Sequence, residues 1–161
     1  MKKIVADSSS IILLAKCSLL EKLTQVVELY IPETVFQECA SDNLRKKHPD
    51  AERIGRLVDG KRIYAKKLIK KEIAKGEDEA IFPFKETKAD IFLCDDGRAI
   101  KICKVLKISF TTSPRVVIDL YQKGVIDIEM AKEALNKLDI LGRYSKDVIS
   151  NALLELIMKR G

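Results

Sequence analysis

The chain alternates short apolar runs with longer amphipathic stretches, and this alternation constrains its fold more than any other feature. Apolar runs of strand length lie at residues 4–6, 26–31, 89–94 and 108–112. The run at 62–69 is a further candidate strand of undetermined type. Strands that alternate with helices form parallel sheets covered by helices on both faces. The sequence therefore predicts an α/β fold with such a sheet.

Capping and breaking residues set the expected helix boundaries. One serine of residues 8–10 is expected to cap a helix over residues 11–23, and Pro32 is expected to open a helix over residues 32–40. A polar linker around His48 should precede a short amphipathic stretch. Later helices are predicted over residues 98–107, 115–124, 127–139 and 145–159. A helix pair over residues 70–84 should break at Gly76 and be disturbed by Pro83.

Length and composition are those of one globular domain. The chain has 161 residues, of which 47% are hydrophobic and 34% charged. We expect a single domain over residues 1–161, with a core of about residues 1–126 followed by C-terminal helices over residues 127–161. Its apolar runs are far shorter than the roughly 20 residues of a membrane span. Asp7 and three serines interrupt the N-terminal apolar region, which argues against a signal peptide.

The four cysteines and the single histidine argue against a structural zinc site. No two cysteines have CxxC spacing, and His48 is the only histidine. Most of the cysteines lie among apolar residues, as buried free thiols do. Free thiols predict a reducing compartment and therefore a cytoplasmic protein.

Positive charge is concentrated in one segment of the chain. The formal net charge is +6, and residues 42–75 alone hold twelve Lys/Arg and five Asp/Glu. A local basic excess favours a polyanionic partner such as RNA. A solvated lysine-rich helix surface explains the same charge equally well.

Acidic residues follow two of the predicted strands. Asp7 ends the first strand, and Asp95 and Asp96 end the strand at 89–94, so they should meet at the carboxyl edge of the sheet. Glu38 and Glu79, on predicted helices, can join them, although a solvated surface position is the more common one for a single glutamate. Clustered carboxylates repel one another unless a cation lies between them, and oxygen ligands suit Mg²⁺ or Mn²⁺. A carboxylate cleft beside a basic segment suggests a nuclease.

Other catalytic patterns are absent from the sequence. It contains no GxxxxGK[ST] loop, no GxGxxG after the first strand and no GxSxG elbow. Because the only histidine lies in a polar linker, a Ser-His-Asp enzyme is disfavoured as well.

Several segments together resemble the PIN domain family. IVADSSSIILLAKCSLLEKL resembles the opening strand, Asp, Ser/Thr and apolar helix of PIN domains, and YIPETVFQE resembles their second acidic element. KGEDEAI and DIFLCDDGRAIKICKVLKISFTTSPRVVIDLYQKGVI resemble the later segments of a prokaryotic, toxin-like subgroup. These segments span about residues 4–126 with a gap at the basic stretch, and they imply a PIN-like three-layer sandwich. The chain departs from the subgroup at Thr111, where Gly is more usual before Thr, and at Pro83.

The resemblance implies a metal-dependent ribonuclease that uses Mg²⁺ or Mn²⁺. The substrate that the resemblance implies is RNA. The expected partners are a small antitoxin protein and a second copy of the chain, which would form a homodimer. No membrane partner is expected. The metal-binding and catalytic acids carried over by position are Asp7, Glu38, Glu79 and Asp95, with Asp96 as the alternative to Asp95. Ser9 would support Asp7 through a hydrogen bond, and Thr112 would line the site. From the basic segment, we assign RNA binding to Lys66, Lys67, Lys70 and Lys71.

Two other functions compete with the nuclease hypothesis. A non-catalytic PIN-like module that binds nucleic acid or protein would keep the fold without cleavage. A receiver-like signalling domain is also a parallel α/β fold with acids at its strand ends. Such a domain would need an acidic pair after the first strand and a lysine after the last strand, and the chain has neither.

Overall fold

A computed structural model describes residues 1–67 and 82–158 of the chain. Within these residues, five strands form one parallel sheet in the order β3-β2-β1-β4-β5. The strands are β1 (Lys3–Ala6), β2 (Glu28–Pro32), β3 (Ile63–Lys66), β4 (Ile91–Leu93) and β5 (Phe110–Thr111). Since every pair is parallel, the carboxyl ends of all five strands lie along one edge of the sheet. Within the candidate run at 62–69, residues 63–66 form the parallel strand β3, which is last in the strand order.

Helices connect the strands and close the chain. The helices of the described residues are α1 (Ser8–Lys16), α2 (Leu20–Leu23), α3 (Glu33–Ala40), α4 (Asp42–Lys47), α5 (Pro49–Asp59), α6 (Phe82–Thr87), α7 (Gly97–Leu106), α8 (Ser113–Gln122), α9 (Ile128–Leu141) and α10 (Lys146–Met158).

The sheet is covered on both faces, as the alternation of the sequence predicts. Ile4 and Leu93 belong to a large apolar cluster that includes residues of α1, α3, α5 and α8–α10. Val5 and Phe92, one residue away on the same strands, belong to a smaller cluster with Cys103 of α7. Successive residues of a strand point to opposite faces, so the two clusters are the layers above and below one sheet. The predicted parallel sheet between two helical layers is confirmed.

The two C-terminal helices pack into the larger cluster. Leu135 and Leu138 of α9 are fully buried, and Ile149 and Leu156 of α10 are nearly so. Both helices contact α8, whose Arg115 forms an ion pair of 2.8 Å with a glutamate of α10. The segment between α9 and α10 is thereby held close to the carboxyl edge of the sheet.

Two predicted elements near the N-terminus differ from the structure. The helix expected over residues 11–23 is two helices, broken at Ser18, which has a left-handed φ of 57°. The break was not visible in the sequence because the apolar pattern continues through it, with Cys17 and Leu19 buried on either side of Ser18. The cap of α1 is Asp7 rather than a serine, since its carboxylate accepts a hydrogen bond from the backbone N–H of Ser10.

Two later expectations also need correction. The polar linker before Pro49 contains the helix α4, capped by the Ser41 side chain and tied to α5 by Arg45, which bonds Glu52 and Asp59 at 2.9 Å each. Pro83 lies within the described part of α6, which continues to Thr87, beyond the end expected at residue 84. The expected helix pair at 70–84 and its break at Gly76 otherwise fall outside the described residues.

None of the helices within residues 1–67 and 82–158 is long and apolar enough to cross a membrane.

Candidate active site

The carboxyl edge of the sheet brings Asp7 and Asp95 together. Asp7 directly follows β1, and Asp95 lies two residues beyond the end of β4. β1 and β4 are paired neighbours with Ala6 opposite Leu93, and the N–H of Asp7 extends this pairing to the carbonyl of Leu93 at 3.2 Å. The two strands thus deliver one carboxylate each to the same place.

Asp7 is a partly buried helix cap that carries a perturbed carboxylate. Its Oδ1 accepts hydrogen bonds from the N–H of Ser10 at 2.9 Å and from the hydroxyl of Ser9 at 3.3 Å. Burial raises the pKa of Asp7, and the negative charge of Asp95 raises it further, while the bonds from Ser10 and Ser9 lower it. Because Asp95 affects Asp7 electrostatically, a cation between them would relieve an existing repulsion.

Asp95 accepts four hydrogen bonds within the described structure. Oδ2 accepts from the hydroxyls of Ser10 at 2.7 Å and Ser113 at 2.5 Å. Oδ1 accepts from the N–H of Ser113 at 2.8 Å and from the phenol of Tyr144 at 2.5 Å. A carboxylate offers about four lone-pair sites, so its acceptor capacity is filled.

Tyr144 reaches this carboxylate from the segment between α9 and α10. A Cβ on Gly142 would clash with the ring of Tyr144, so the glycine makes room for the aromatic side chain. Burial raises the pKa of Tyr144 well above its usual value, and the hydrogen bond to Asp95 raises it further. The phenol therefore stays protonated at neutral pH and acts as a donor.

Sequence reasoning missed three residues that organise this site. Ser10 links both acids, donating its N–H to Asp7 and its hydroxyl to Asp95, and Ser113 donates twice to Asp95. Both serines are fully buried, and each lies in a run of polar residues at a strand end that could have drawn attention to it. Tyr144 has no such signal, because nothing in its local sequence relates it to a strand 50 residues earlier.

Glu38 and Asp7 share a neighbour, Cys39, but among the described residues they do not form a set of three acids. It is exposed on α3 beside the buried Cys39. Burial raises the pKa of the Cys39 thiol to about 12, and the charges of Glu38 and Asp7 contribute to the rise, so both carboxylates lie within electrostatic range of that thiol. Among residues 1–67 and 82–158, no three His, Cys, Asp or Glu side chains converge closely enough to hold a metal ion. Glu79 lies outside the described residues.

Asp96 and Thr112 act as helix caps in the structure. Asp96 is exposed and accepts long hydrogen bonds of 3.4 Å from the N–H groups of Arg98 and Ala99 at the start of α7. Thr112 accepts from the N–H of Arg115 at the start of α8. The geometry therefore favours Asp95 over Asp96 as the partner of Asp7, and it is Ser113, next to Thr112, that contacts Asp95.

A cleft of about 650 Å³ opens beside Asp95. Asp95, Tyr144 and Ser9 lie along it, together with apolar residues of α1. Lys16, at the end of α1, and Arg143, next to Tyr144, also line the cleft, and both are exposed. The cleft therefore combines carboxylates with cationic side chains that can bind phosphate.

In the described part of the basic segment, two arginines bond to backbone carbonyls of other helices, whereas two lysines at the end of β3 are exposed. Arg53 donates to the carbonyl of Ala15, and Arg62 donates to the carbonyl of Glu21, so both tie the segment to the first two helices. Lys66 and Lys67 are exposed at the carboxyl end of β3. Lys66 pairs in register with the last residue of β2, which places it two strands from β1, roughly 10 Å across the sheet. Lys70 and Lys71 lie outside the described residues.

Comparison with known families agrees with this geometry. A family model described as a PIN domain matches residues 3–159, nearly the whole chain. The chain belongs to the PIN domain family. Comparisons with curated proteins and with solved structures gave no significant match. PIN domains are generally nucleases, and they typically use divalent metal ions.

The side-chain oxygens at the carboxyl edge are the kind of ligand that a hard divalent cation prefers. Asp7 and Asp95 supply carboxylate oxygens, Ser10 and Ser113 supply hydroxyl oxygens, and no nitrogen or sulfur ligand is among them. Oxygen donors suit Mg²⁺ and Mn²⁺ rather than zinc. A cation at this edge would also offset the charge of Asp95, which helps to raise the pKa of Asp7.

Proposed function

We propose that this PIN domain is a metal-dependent endoribonuclease that hydrolyses RNA phosphodiester bonds with Mg²⁺ or Mn²⁺ held by Asp7 and Asp95. The observation that carries this proposal is the meeting of these two carboxylates at the carboxyl edge of the sheet, where burial and the charge of Asp95 raise the pKa of Asp7. Glu38 and Glu79 are the further acids that the PIN resemblance assigns to the site.

The cleft beside Asp95 supports a phosphodiester substrate. Lys16 and Arg143 line it and present positive charge next to the carboxylates. Binding of a nucleic-acid strand requires positively charged side chains along its phosphates. Metal-dependent cleavage also requires a cation-binding centre at the scissile bond. We assign phosphate binding in the cleft to these two residues, in addition to Lys66, Lys67, Lys70 and Lys71 of the basic segment.

The residues of the chain and the bound cation would have separate roles in phosphodiester hydrolysis. A divalent cation activates a water molecule and stabilises the departing oxygen in phosphodiester hydrolysis. Asp7 and Asp95 would hold that cation, and Ser9 and Ser10 orient Asp7 through their hydrogen bonds to Oδ1. Lys16 and Arg143, which line the cleft, would bind phosphates of the substrate.

A non-catalytic binding module is the second candidate, and one observation favours it. All four acceptor positions of Asp95 are occupied by protein donors, as they would be in a carboxylate that serves only to hold the strand ends together. Such a module would still bind nucleic acid through Lys16 and Arg143. It would neither cleave RNA nor require a cation.

Cleavage of single-stranded RNA by the purified wild-type protein separates the two candidates. We expect cleavage in Mn²⁺ or Mg²⁺, no cleavage in EDTA, and recovery of activity when Mn²⁺ is restored in excess over the chelator. A protein that binds the RNA yet leaves it intact in millimolar Mn²⁺ would support the binding module. Cleavage that continues in EDTA would contradict the metal-dependent mechanism.

The partners of the nuclease follow from the family resemblance alone. We propose a small antitoxin protein as the regulator and a homodimer as the assembly. Copurification of the chain with the product of the neighbouring gene, followed by size-exclusion chromatography with light scattering, would test both.

A further inference from the structure

We propose that Tyr144 competes with the divalent cation for Asp95, so that the segment between α9 and α10 acts as a latch on the metal site. This inference rests on the proposed function, because it concerns the affinity of the same site for its cation. It assigns a regulatory role to a residue outside the acids and serines of the sheet edge.

Competition follows from the number of donors at Asp95. Oδ1 accepts from Tyr144 and from the backbone of Ser113, and Oδ2 accepts from the hydroxyls of Ser10 and Ser113. Four donors fill the acceptor sites of a carboxylate. A cation can therefore bind Asp95 directly only if at least one of these hydrogen bonds breaks.

Tyr144 is the donor that can leave with the least disturbance of the fold. Ser10 lies within α1 and Ser113 begins α8, and both are fully buried. The backbone N–H of Ser113 cannot move without moving its helix. Tyr144 belongs to the short segment between α9 and α10 and is partly exposed. Its ring packs against the large apolar cluster, and it donates to Asp95 through its phenolic hydroxyl, so the hydrogen bond can break while the ring stays packed.

Tyr144 also lies on the route by which a cation reaches Asp95. The cleft of about 650 Å³ is lined by both residues. Gly142 sets the position of the phenol, because any larger residue there would clash with the aromatic ring. The latch thus consists of Tyr144, held in place by Gly142, and it covers Oδ1 of Asp95 from the side of the cleft.

Calorimetric titration of the full chain with MnCl₂ tests this competition. Tyr144→Phe removes the competing hydroxyl and keeps the ring, so it should bind Mn²⁺ about tenfold more tightly than the wild type, as expected for loss of one hydrogen bond to a charged group. Gly142→Ala should tighten binding in the same direction, because it displaces the ring. Tyr121→Phe is the matched control, since it removes a phenolic oxygen from α8 away from Asp95, and its affinity should equal that of the wild type.

A second readout comes from thermal unfolding. In EDTA, Tyr144→Phe should melt at a lower temperature than the wild type, since Asp95 loses a donor. In saturating Mn²⁺ the difference should shrink or disappear, because the wild type has also lost that hydrogen bond. Tyr121→Phe should show the same difference from the wild type in both conditions.

The outcomes distinguish this inference from the proposed function. If Tyr144→Phe binds Mn²⁺ with unchanged or weaker affinity while the wild type binds it, the latch is wrong and Tyr144 instead orients Asp95 or is neutral. If neither the wild type nor any variant binds Mn²⁺, the metal-dependent nuclease fails, and the latch fails with it.

Discussion

Asp7 performs two tasks with one carboxylate. It caps α1 through the N–H of Ser10, and it places a negative charge beside Asp95 in a partly buried position. An asparagine can perform the first task, because Asn caps helices as well as Asp does, but it cannot supply the charge. Substituting Asp7 by Asn therefore separates the structural contribution of this residue from its electrostatic one.

The raised pKa of Asp7 predicts a pH-dependent difference between wild type and Asp7→Asn. Since folding raises this pKa above 3.8, protonated Asp7 favours the folded state at low pH, and this contribution is lost as pH rises through the folded pKa. At neutral pH in EDTA, Asp7→Asn should therefore melt at a higher temperature than the wild type. The difference in melting temperature between the two proteins should narrow as the pH falls toward 3.8. Calorimetric scans in EDTA across this pH range would measure it.

Asp127→Asn provides the control for that measurement. Asp127 caps α9 through the N–H of Met130 at 2.8 Å, in the same manner as Asp7, but it is exposed. Asp127→Asn should melt at nearly the same temperature as the wild type throughout the pH range. A wild type more stable than Asp7→Asn at neutral pH without metal would contradict the electrostatic account.

The residues of the site were predictable where they ended a strand. Asp7 and Asp95 follow apolar runs, and parallel strands bring their carboxyl ends to one edge, so sequence alone could place both acids there. The choice between Asp95 and Asp96 depends on which one turns toward Ser113 and which one caps α7, and adjacent identical residues carry no such information. Tyr144 depends on the packing of two helices that the sequence pattern does not orient.

Among the helices that begin at the carboxyl edge of the sheet, three begin next to residues considered for the site. α1, α7 and α8 each follow a strand directly, and their first residues lie beside Asp7, Asp96 and Thr112. Helix N-termini carry partial positive charge and unpaired N–H groups, which stabilise nearby anions. The edge can therefore hold carboxylates in the absence of a cation, and the same feature would favour a phosphate.

The strand β3 ends at this edge of the sheet and belongs to the basic segment. Lys66 and Lys67 are exposed at its carboxyl end. Changing both to Gln should weaken RNA binding and flatten its dependence on salt, by about 0.7 log units per log unit of salt for each phosphate that is no longer neutralised. Affinity for Mn²⁺ should be unchanged, because neither lysine is a ligand. Fluorescence anisotropy of a labelled RNA across a salt series measures both effects.

Lys104 and Lys123 offer a charge-matched control for this experiment. Each lies at the C-terminal end of a helix that follows a strand, so both belong to the opposite, amino edge of the sheet. Their double substitution by Gln removes the same charge and should leave most of the binding intact. Equal weakening in both double variants would mean that net charge alone, and not β3, attracts the RNA.

Two helix starts followed the sequence where a proline marked them. Pro32 precedes α3, and Pro114 lies in the first turn of α8, as their preference for helix starts predicts. The break at Ser18 was hidden because the apolar residues continue on both sides of it. α4 was hidden because five of its six residues are polar and its position depends on Arg45, whose partners lie on the next helix.

The molecule as a whole assembles its candidate site from distant parts of the chain. Asp7 comes from the first strand, Asp95 from the fourth, and Tyr144 and Arg143 from the segment between the last two helices. The PIN family match likewise extends over residues 3–159, so it includes these helices. The C-terminal helices therefore contribute to the site as well as to the core, although the resemblance in the sequence ended near residue 126.

The central claim, that Asp7 is part of a metal-dependent nuclease centre, is tested most directly by RNA cleavage with three proteins. Wild type, Asp7→Asn and Asp127→Asn should be purified identically and assayed on one single-stranded RNA in Mn²⁺. Loss of a ligand charge should reduce the rate of Asp7→Asn by about a hundredfold or more, whereas Asp127→Asn should cleave like the wild type. Equal cleavage by wild type and Asp7→Asn would contradict the account, because the activity would then come from another centre or another protein.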